Sequence, residues 1–232
     1  MLKRYLLLNL LVPVIVWANA LVGTTPGEFS VSESGAATYT MPIATPPGTA
    51  GMQPSLALSY NSQSGNGIAG MGWNLSGIQA ISRCTKNISH DNAIEGINFS
   101  GSTYCLNGQR LFSKGGNEFR TELEGFTKVV ANGALTNPDS FTAYAKSGEV
   151  LTFGKFNAYG KSQALNYFLV RSEDRKGNYI SYEYDTSNAK EYLLYKINYT
   201  GNDSAGITPY NAVEMVYENR LDTASGYVAG SE

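Results

Sequence analysis

The sequence offers little for chemistry: a single histidine, His90, two cysteines, Cys84 and Cys105, and carboxylates scattered along the chain. A serine-histidine-aspartate relay would have to be built on His90, which lies in a polar, Asn- and Gly-rich stretch from Lys86 to Ser102. A solvated loop histidine is the simpler expectation. Two cysteines and one histidine cannot complete a tetrahedral zinc site. Glu122 and Glu124 share a face of an expected strand, yet nothing in the pattern sets a cleft between them, so they read as exposed edge charges. Asp174 stands at a turn without the companion oxygens that calcium requires. Gly65-Asn66-Gly67-Ile68-Ala69-Gly70 has the G-x-G-x-x-G spacing of a dinucleotide site and follows an expected strand. The stretch after it, Met71 to Gly77, has no helical period to hold a pyrophosphate, and Arg83-Cys84-Thr85-Lys86 stands where a ribose-binding acid belongs. Gly65, Gly67, Gly70 and Gly72 are therefore read as turn glycines of a tight β-connection, with Met71 and Trp73 returning the chain to an apolar environment. No catalytic, cofactor-binding or metal residue is assigned, and no enzyme activity is expected.

The elements that would position these residues are strands. Among 232 residues there are 16 Tyr, 9 Phe and 25 Gly, with only 16% charged, a composition suited to many short strands and tight turns. The formal charge is −2, and without Lys3 and Arg4 it falls to 15 basic against 19 acidic residues, so no basic stripe points to nucleic acid. Lys3 and Arg4 open a secretory signal pattern. Tyr5 to Trp17 is its apolar stretch and Ala18-Asn19-Ala20 its cleavage site, placing the cut between Ala20 and Leu21. The apolar run is about 13 residues and contains Pro13, whereas a spanning helix needs about 20, so residues 1–20 are read as a removed signal and 21–232 as an exported chain without a stable membrane span. An oxidising compartment would let Cys84 and Cys105 bond, closing a loop of about 21 residues with a gain on the order of 3 kcal/mol. Two separate buried thiols are the alternative.

Taken in order, Phe29 and Val31 share a face of a short strand, and Tyr39, Met41 and Ile43 alternate until Pro46-Pro47 stops them. Leu56, Leu58 and Tyr60 line one face of a central strand, and Ile78 to Ser82 forms another. From Tyr104 the chain reads as hairpins. Leu106 to Phe112 returns through Lys114-Gly115-Gly116-Asn117 to Glu118–Leu123, Phe126 to Val130 follows, and Phe141 to Ala145 turns at Lys146-Ser147-Gly148 into Val150–Phe153. Leu165 to Val170 reads as a strand buried on both faces, and Val213, Met215 and Tyr217 as a last strand. Asn188 to Tyr195 is the only helix candidate inside the chain. The fold class is all-β, antiparallel hairpins and meander forming an open sheet or sandwich.

The run MPIATPPGTAGMQPSLALSYNSQSGNGIAGMGWNLSGIQAISRC from Met41, followed by YCLNGQRL at Tyr104 to Leu111, resembles the SpvB-type N-terminal module that opens Tc insecticidal toxin B components and many secreted Rhs-repeat proteins. The resemblance is densest from about Gly35 to Leu111. Asp174, Gly177, Asn178, Tyr182 and Tyr184, in a hairpin of about 170–200, are similar to the Rhs or YD repeat. The resemblance implies a single SpvB-like β-module over 21–232, the start of an Rhs/TcB-like β-shell, secreted and without catalysis of its own. Its implied partners are further β-shell or Rhs-repeat polypeptide and other toxin-complex subunits, and the shell would house or deliver a toxic C-terminal cargo. Some family members carry an ADP-ribosyltransferase in a separate C-terminal domain, and no residues here match that motif. A second reading is a secreted β-sandwich whose exposed tyrosines bind carbohydrate or a host receptor.

Overall fold

The structure is a computed structural model and describes residues 26–188, 190–222 and 225–229. The signal pattern and its Ala20–Leu21 cleavage point lie outside these residues. The described residues form strands throughout except for one single-turn helix, and every ladder between strands is antiparallel. The all-β, antiparallel expectation holds.

The first sheet runs from β1 (Glu28–Val31) through β2 (Ala37–Ile43) and β3 (Leu56–Asn61), then to β6 (Trp73–Ser76), with β5 (Gly70–Met71) and β4 (Asn66–Gly67) beyond it. Its register sets Phe29 opposite Tyr39, Tyr39 opposite Tyr60 and Tyr60 opposite Trp73, so a row of rings crosses four strands. The two-residue period of a strand places Met41, Leu58 and Leu75 on that same face and Thr40, Ser59 and Asn74 on the other. Leu56 is buried where this sheet meets the rest of the molecule, with Ile43, Met52 and Leu75 packed partly buried beside it. Away from that contact burial thins. Leu58 and Tyr60 are half-buried, and Phe29 and Val31, which share a face as their spacing requires, are exposed. Pro42 lies past the last β1 pair, Glu28 with Thr40, where a missing N–H is tolerated.

No helix follows the G-x-G-x-x-G spacing: Asn66–Gly67 and Gly70–Met71 pair as a small hairpin. Gly72, between β5 and β6, has φ +75°, and a Cβ there would lie 2.7 Å from the Tyr60 ring and 2.8 Å from the Asn61 carbonyl. Met71 is 65% exposed, contrary to the apolar environment expected for it, because the two-residue strand that carries it lies at the rim of the sheet.

β7 (Ala80–Arg83), β8 (Tyr104–Leu106), β9 (Gln109–Gly115), β10 (Glu118–Thr121), β11 (Lys128–Asn132), β12 (Ser140–Tyr144), β13 (Val150–Asn157) and β14 (Ala164–Glu173) form an up-and-down meander, each strand pairing with the next. β14 then pairs back onto β7 through Asn166 with Ser82, Tyr167 with Ile81 and Phe168 with Ala80. That last ladder closes the ring into an eight-stranded barrel, where an open sheet or sandwich was expected of this segment. Closure leaves no edge within the ring and gives each strand an inner face. Ile81, Tyr104, Phe119, Val129, Phe141, Phe153, Tyr167 and Leu169 point into it and are buried. The rings of Tyr104, Phe141 and Tyr167 meet edge to face, with centroids 5.0, 6.1 and 4.8 Å apart. Their phenols are satisfied by backbone: Tyr104 donates to the Leu135 carbonyl and Tyr167 to that of Pro138, each at 3.0 Å.

The far half of β14, Arg171 to Glu173, pairs instead with β15 (Asn178–Asp185), which continues through β16 (Leu193–Asn202) to β17 (Asn211–Glu214). β14 thus pairs with β13 along its whole length, while its other edge divides between β7 in the barrel and β15 in a sheet extension. It is not buried on both faces as expected: Ala164, Tyr167 and Leu169 are buried inside, whereas Leu165, Phe168 and Val170 on the outer side are half-buried.

Three further expectations are corrected by local chemistry. Leu106 to Phe112 is two strands, because Asn107 and Gly108 both take positive φ, 50° and 82°, in a two-residue hairpin turn. The strand expected from Phe126 begins at Lys128, since Phe126 has φ 57° and is exposed. Asn188 to Tyr195 is not helical. Leu193 to Tyr195 join β16, with Leu194 buried and Tyr195 exposed as a strand requires. The helix is α1 (Ile88–Asp91), too short to show a period in sequence.

Candidate functional site

The YD-like residues form a structural turn. Asp174 accepts backbone N–H bonds from Lys176 and Asn178 at 2.7 and 3.0 Å, and its other oxygen accepts the Asn178 amide at 2.8 Å. Burial works against the Asp174 charge, but the bonds from Asn178 and the backbone outweigh it and hold the carboxyl below its ordinary range. The amide of Asn202 on β16 donates to the Lys176 carbonyl and to Asn178 Oδ1, both at 3.0 Å, tying the turn to the next strand. Asp174, Gly177 and Asn178 therefore shape a hairpin. Tyr182 is buried and Tyr184 lays its ring on Phe168, 5.2 Å away and inclined by 20°, while its hydroxyl donates to the Leu169 carbonyl. These tyrosines pack against the hydrophobic core.

The residues with chemical potential gather at one end of the barrel. Cys84, just past β7, is disulfide-bonded to Cys105 in β8, with Cα atoms 5.9 Å apart, so the bonded alternative for the cysteines is the observed one. The loop it closes carries α1, capped by Asn87, whose side-chain oxygen accepts the His90 N–H at 2.9 Å. Glu122 is not on a strand as expected, because β10 ends at Thr121; it turns back and its Oε1 lies 2.9 Å from His90 Nε2. Glu124 does not join it: its carboxylate accepts the Phe126 N–H. The His90 ring stands edge-on to Phe112 at 5.2 Å, and Ser89, the neighbouring hydroxyl, donates to Asn87 instead. Arg110 on β9 is paired with Asp91 and donates to the Thr85 carbonyl at 3.1 Å. These side chains rim a cleft of about 400 Å³. Among the described residues no group of three or more His, Cys, Asp or Glu is placed to hold a metal ion.

Behind the cleft lies Arg83, only 3% exposed and not singled out by its sequence context. Its Nε donates to the Ala164 carbonyl at 2.7 Å, Nη1 to Gly101 at 2.7 Å and Nη2 to Thr136 at 2.6 Å. The guanidinium also lies 5.2 Å from the Tyr104 ring centroid and 5.7 Å from that of Phe99. A fork of donors in one plane is the group that can gather carbonyls from three separate segments. The arrangement clamps loops across the barrel end.

Comparison with known proteins agrees with this architecture. Residues 31–91, from the last residue of β1 to the last of α1, match the family model described as SpvB, Salmonella virulence plasmid 65kDa B protein. No curated protein matches the chain in sequence. The crystal structure of TcdB2-TccC3 superimposes with a TM-score of 0.66 at 18% identity, over 89% of this chain and 12% of that one. The Photorhabdus luminescens Tc holotoxin pore gives 0.55 at 18% identity, over 76% of this chain and 10% of that one. The N-terminal domain of the effector protein SpvB from Salmonella typhimurium strain LT2 gives 0.50 at 16% identity, over 74% and 70% of the two chains. The chain thus spans about 12% of the length of TcdB2-TccC3. Residues 31–91 are thus similar to the SpvB family model, and the all-β fold of the chain is one it shares with Tc toxin structures.

Proposed function

We propose that the chain is a non-catalytic structural module of a secreted, toxin-like assembly, lending pleated sheet to a larger shell that houses or delivers a toxic cargo. The observation that carries this reading is the contrast within the fold. Among the described residues the barrel has no edge, while the sheets attached to it end in strands paired on one side, β1 in the first and β17 in the second. Around β17 the chain keeps Tyr210 at 72% and Val216 at 90% exposed, surface that further strands would cover. The similarity over 89% of the chain to a small part of TcdB2-TccC3 supports the same reading, with further shell polypeptide and other toxin-complex subunits as partners. His90 is held between Asn87, Glu122 and Phe112, an arrangement that serves packing. Export by the signal at residues 1–20 would place the module outside the cell that makes it.

The carbohydrate reading would need a flat aromatic floor. The row of Phe29, Tyr39, Tyr60 and Trp73 comes nearest, but only Phe29 is exposed and the rings are inclined, Trp73 by 46° to Tyr60 and by 76° to Tyr39. Light scattering on the purified chain tests the module reading. Concentration-dependent self-association through the open edges is expected, suppressed by Ala212→Lys on the exposed face of β17. A monomer at every concentration, together with specific retention on a glycan array that Trp73→Ala abolishes, would overturn it.

A further inference from the structure

We propose that the Cys84–Cys105 disulfide is an exchange site for a small thiol, and that its reduction releases the loop 85–103 from the end of the barrel. The inference stands on the cleft and does not rest on the shell reading. Both cysteines line the cleft, so a thiol entering it meets the sulfurs. Cys105 is 8% exposed and Cys84 is half-buried, which makes Cys84 the sulfur within reach of an incoming thiolate. Cys105 then leaves. In the β8–β9 ladder it is directly opposite Arg110, and side chains opposite one another share a face with Cβ atoms about 5 Å apart. Arg110 also lines this cleft, and a guanidinium there favours the departing sulfur as thiolate, so attack on Cys84 is favoured by charge as well as by access.

The exchange has two steps. The thiolate bonds to Cys84 Sγ as the Cys84–Cys105 bond breaks, and the electron pair of that bond leaves on Cys105 Sγ. A second thiolate attacks the small-molecule sulfur of this mixed disulfide, the pair leaves on Cys84 Sγ, and the protons of the two thiols end on the two cysteines. Two small thiols become one small disulfide, and the protein disulfide becomes two thiols.

The disulfide is the one covalent tie at the base of the loop. α1 buries no residue and Ile88 and Ile94 are 61% and 81% exposed, so apolar packing of the loop is confined to the half-buried Ile97 and Phe99 and to the His90 ring against Phe112. Its other ties are polar: Arg110 to Asp91 and the Thr85 carbonyl, His90 to Glu122, and Arg83 to the Gly101 carbonyl. The barrel behind is a closed ladder to which the loop contributes no strand.

The test uses the full chain, folded and oxidised, in glutathione buffers of increasing reducing strength. The expected result is a trapped glutathione adduct on Cys84, followed on full reduction by loss of amide protection in 85–103 by about tenfold or more, while β11–β13 stay protected. Arg110→Gln should slow reduction several-fold although it also frees Asp91, whereas Asp91→Asn, which frees the loop and keeps the guanidinium, should not slow it. Reaction of the cysteines only after denaturation, an adduct on Cys105 alone, or unchanged loop protection in the reduced protein would overturn the proposal.

Discussion

Arg83 shows how much a single side chain can organise when its partners are carbonyls. A cation removed from water needs its donors satisfied, and here the oxygens of Ala164 at the start of β14 and of Gly101 and Thr136 in two loops do that, with the Phe99 and Tyr104 rings close by. Arg83→Lys keeps the charge but has one nitrogen where three directions must be served, and leaves buried carbonyls unpaired. It should cost about 2–4 kcal/mol of stability in urea unfolding, close to the loss from Arg83→Met. A loss below about 1 kcal/mol for either would mean the loops hold themselves. The clamp is hidden in sequence because backbone carbonyls carry no residue signature: Arg83 stands in the polar run Ser82-Arg83-Cys84 and looks like any strand-end cation. The two cysteines, by contrast, were legible as a pair by count alone, though their bonding was one of two open readings.

At the scale of elements, turns that rest on two residues could be read locally and closures that rest on distance could not. Lys146-Ser147-Gly148 joins β12 to β13 where expected, since glycine at φ +89° marks the bend. The shorter Asn107-Gly108 turn was passed over because apolar residues on both sides, Leu106 and Leu111, read as one run. These turns also differ in what fixes their glycine. At Gly108, φ is +82° and nothing lies within 4 Å of an added Cβ, so the cost of Gly108→Ala is conformational alone, about 1 kcal/mol. At Gly72 strain and collision with Tyr60 and Asn61 act together, and Gly72→Ala should cost about 2–4 kcal/mol. Urea unfolding of the two variants side by side checks this, and equal losses would show that the first sheet yields to relieve the clash. The ladder from β14 back to β7 had no local signal, since Asn166–Phe168 and Ala80–Ser82 are brought together only after six intervening strands have curled. The period of two that identified those strands is the same in a sandwich and in a barrel.

For the molecule as a whole, the interior is set by tyrosine, and this makes alkali its characteristic denaturant. Burial raises Tyr104, Tyr167, Tyr182 and Tyr184 above the ordinary phenol range, Tyr182 to about 12 with the Glu149 charge adding to the effect. The unfolded chain loses these protons near pH 10 while the folded chain keeps them, so the stability they confer is fully present below pH about 10 and is lost as pH rises through the folded values. Each such tyrosine steepens the decline by about 1.4 kcal/mol per pH unit, and together they can exhaust an ordinary domain stability of about 5–15 kcal/mol within roughly two units. The expected result is one cooperative step between about pH 10 and about 12, in which tyrosinate absorbance and loss of the strand circular-dichroism signal coincide. Tyr182→Phe removes one of these protons without removing its ring, so it should shift that step to higher pH while changing stability at neutral pH by less than about 1 kcal/mol. Tyrosinate absorbance rising gradually with the strand signal intact would instead mean that alkali reaches the phenols through an interior that opens locally, and that the closed ring of β7–β14 is not the cooperative unit of the fold.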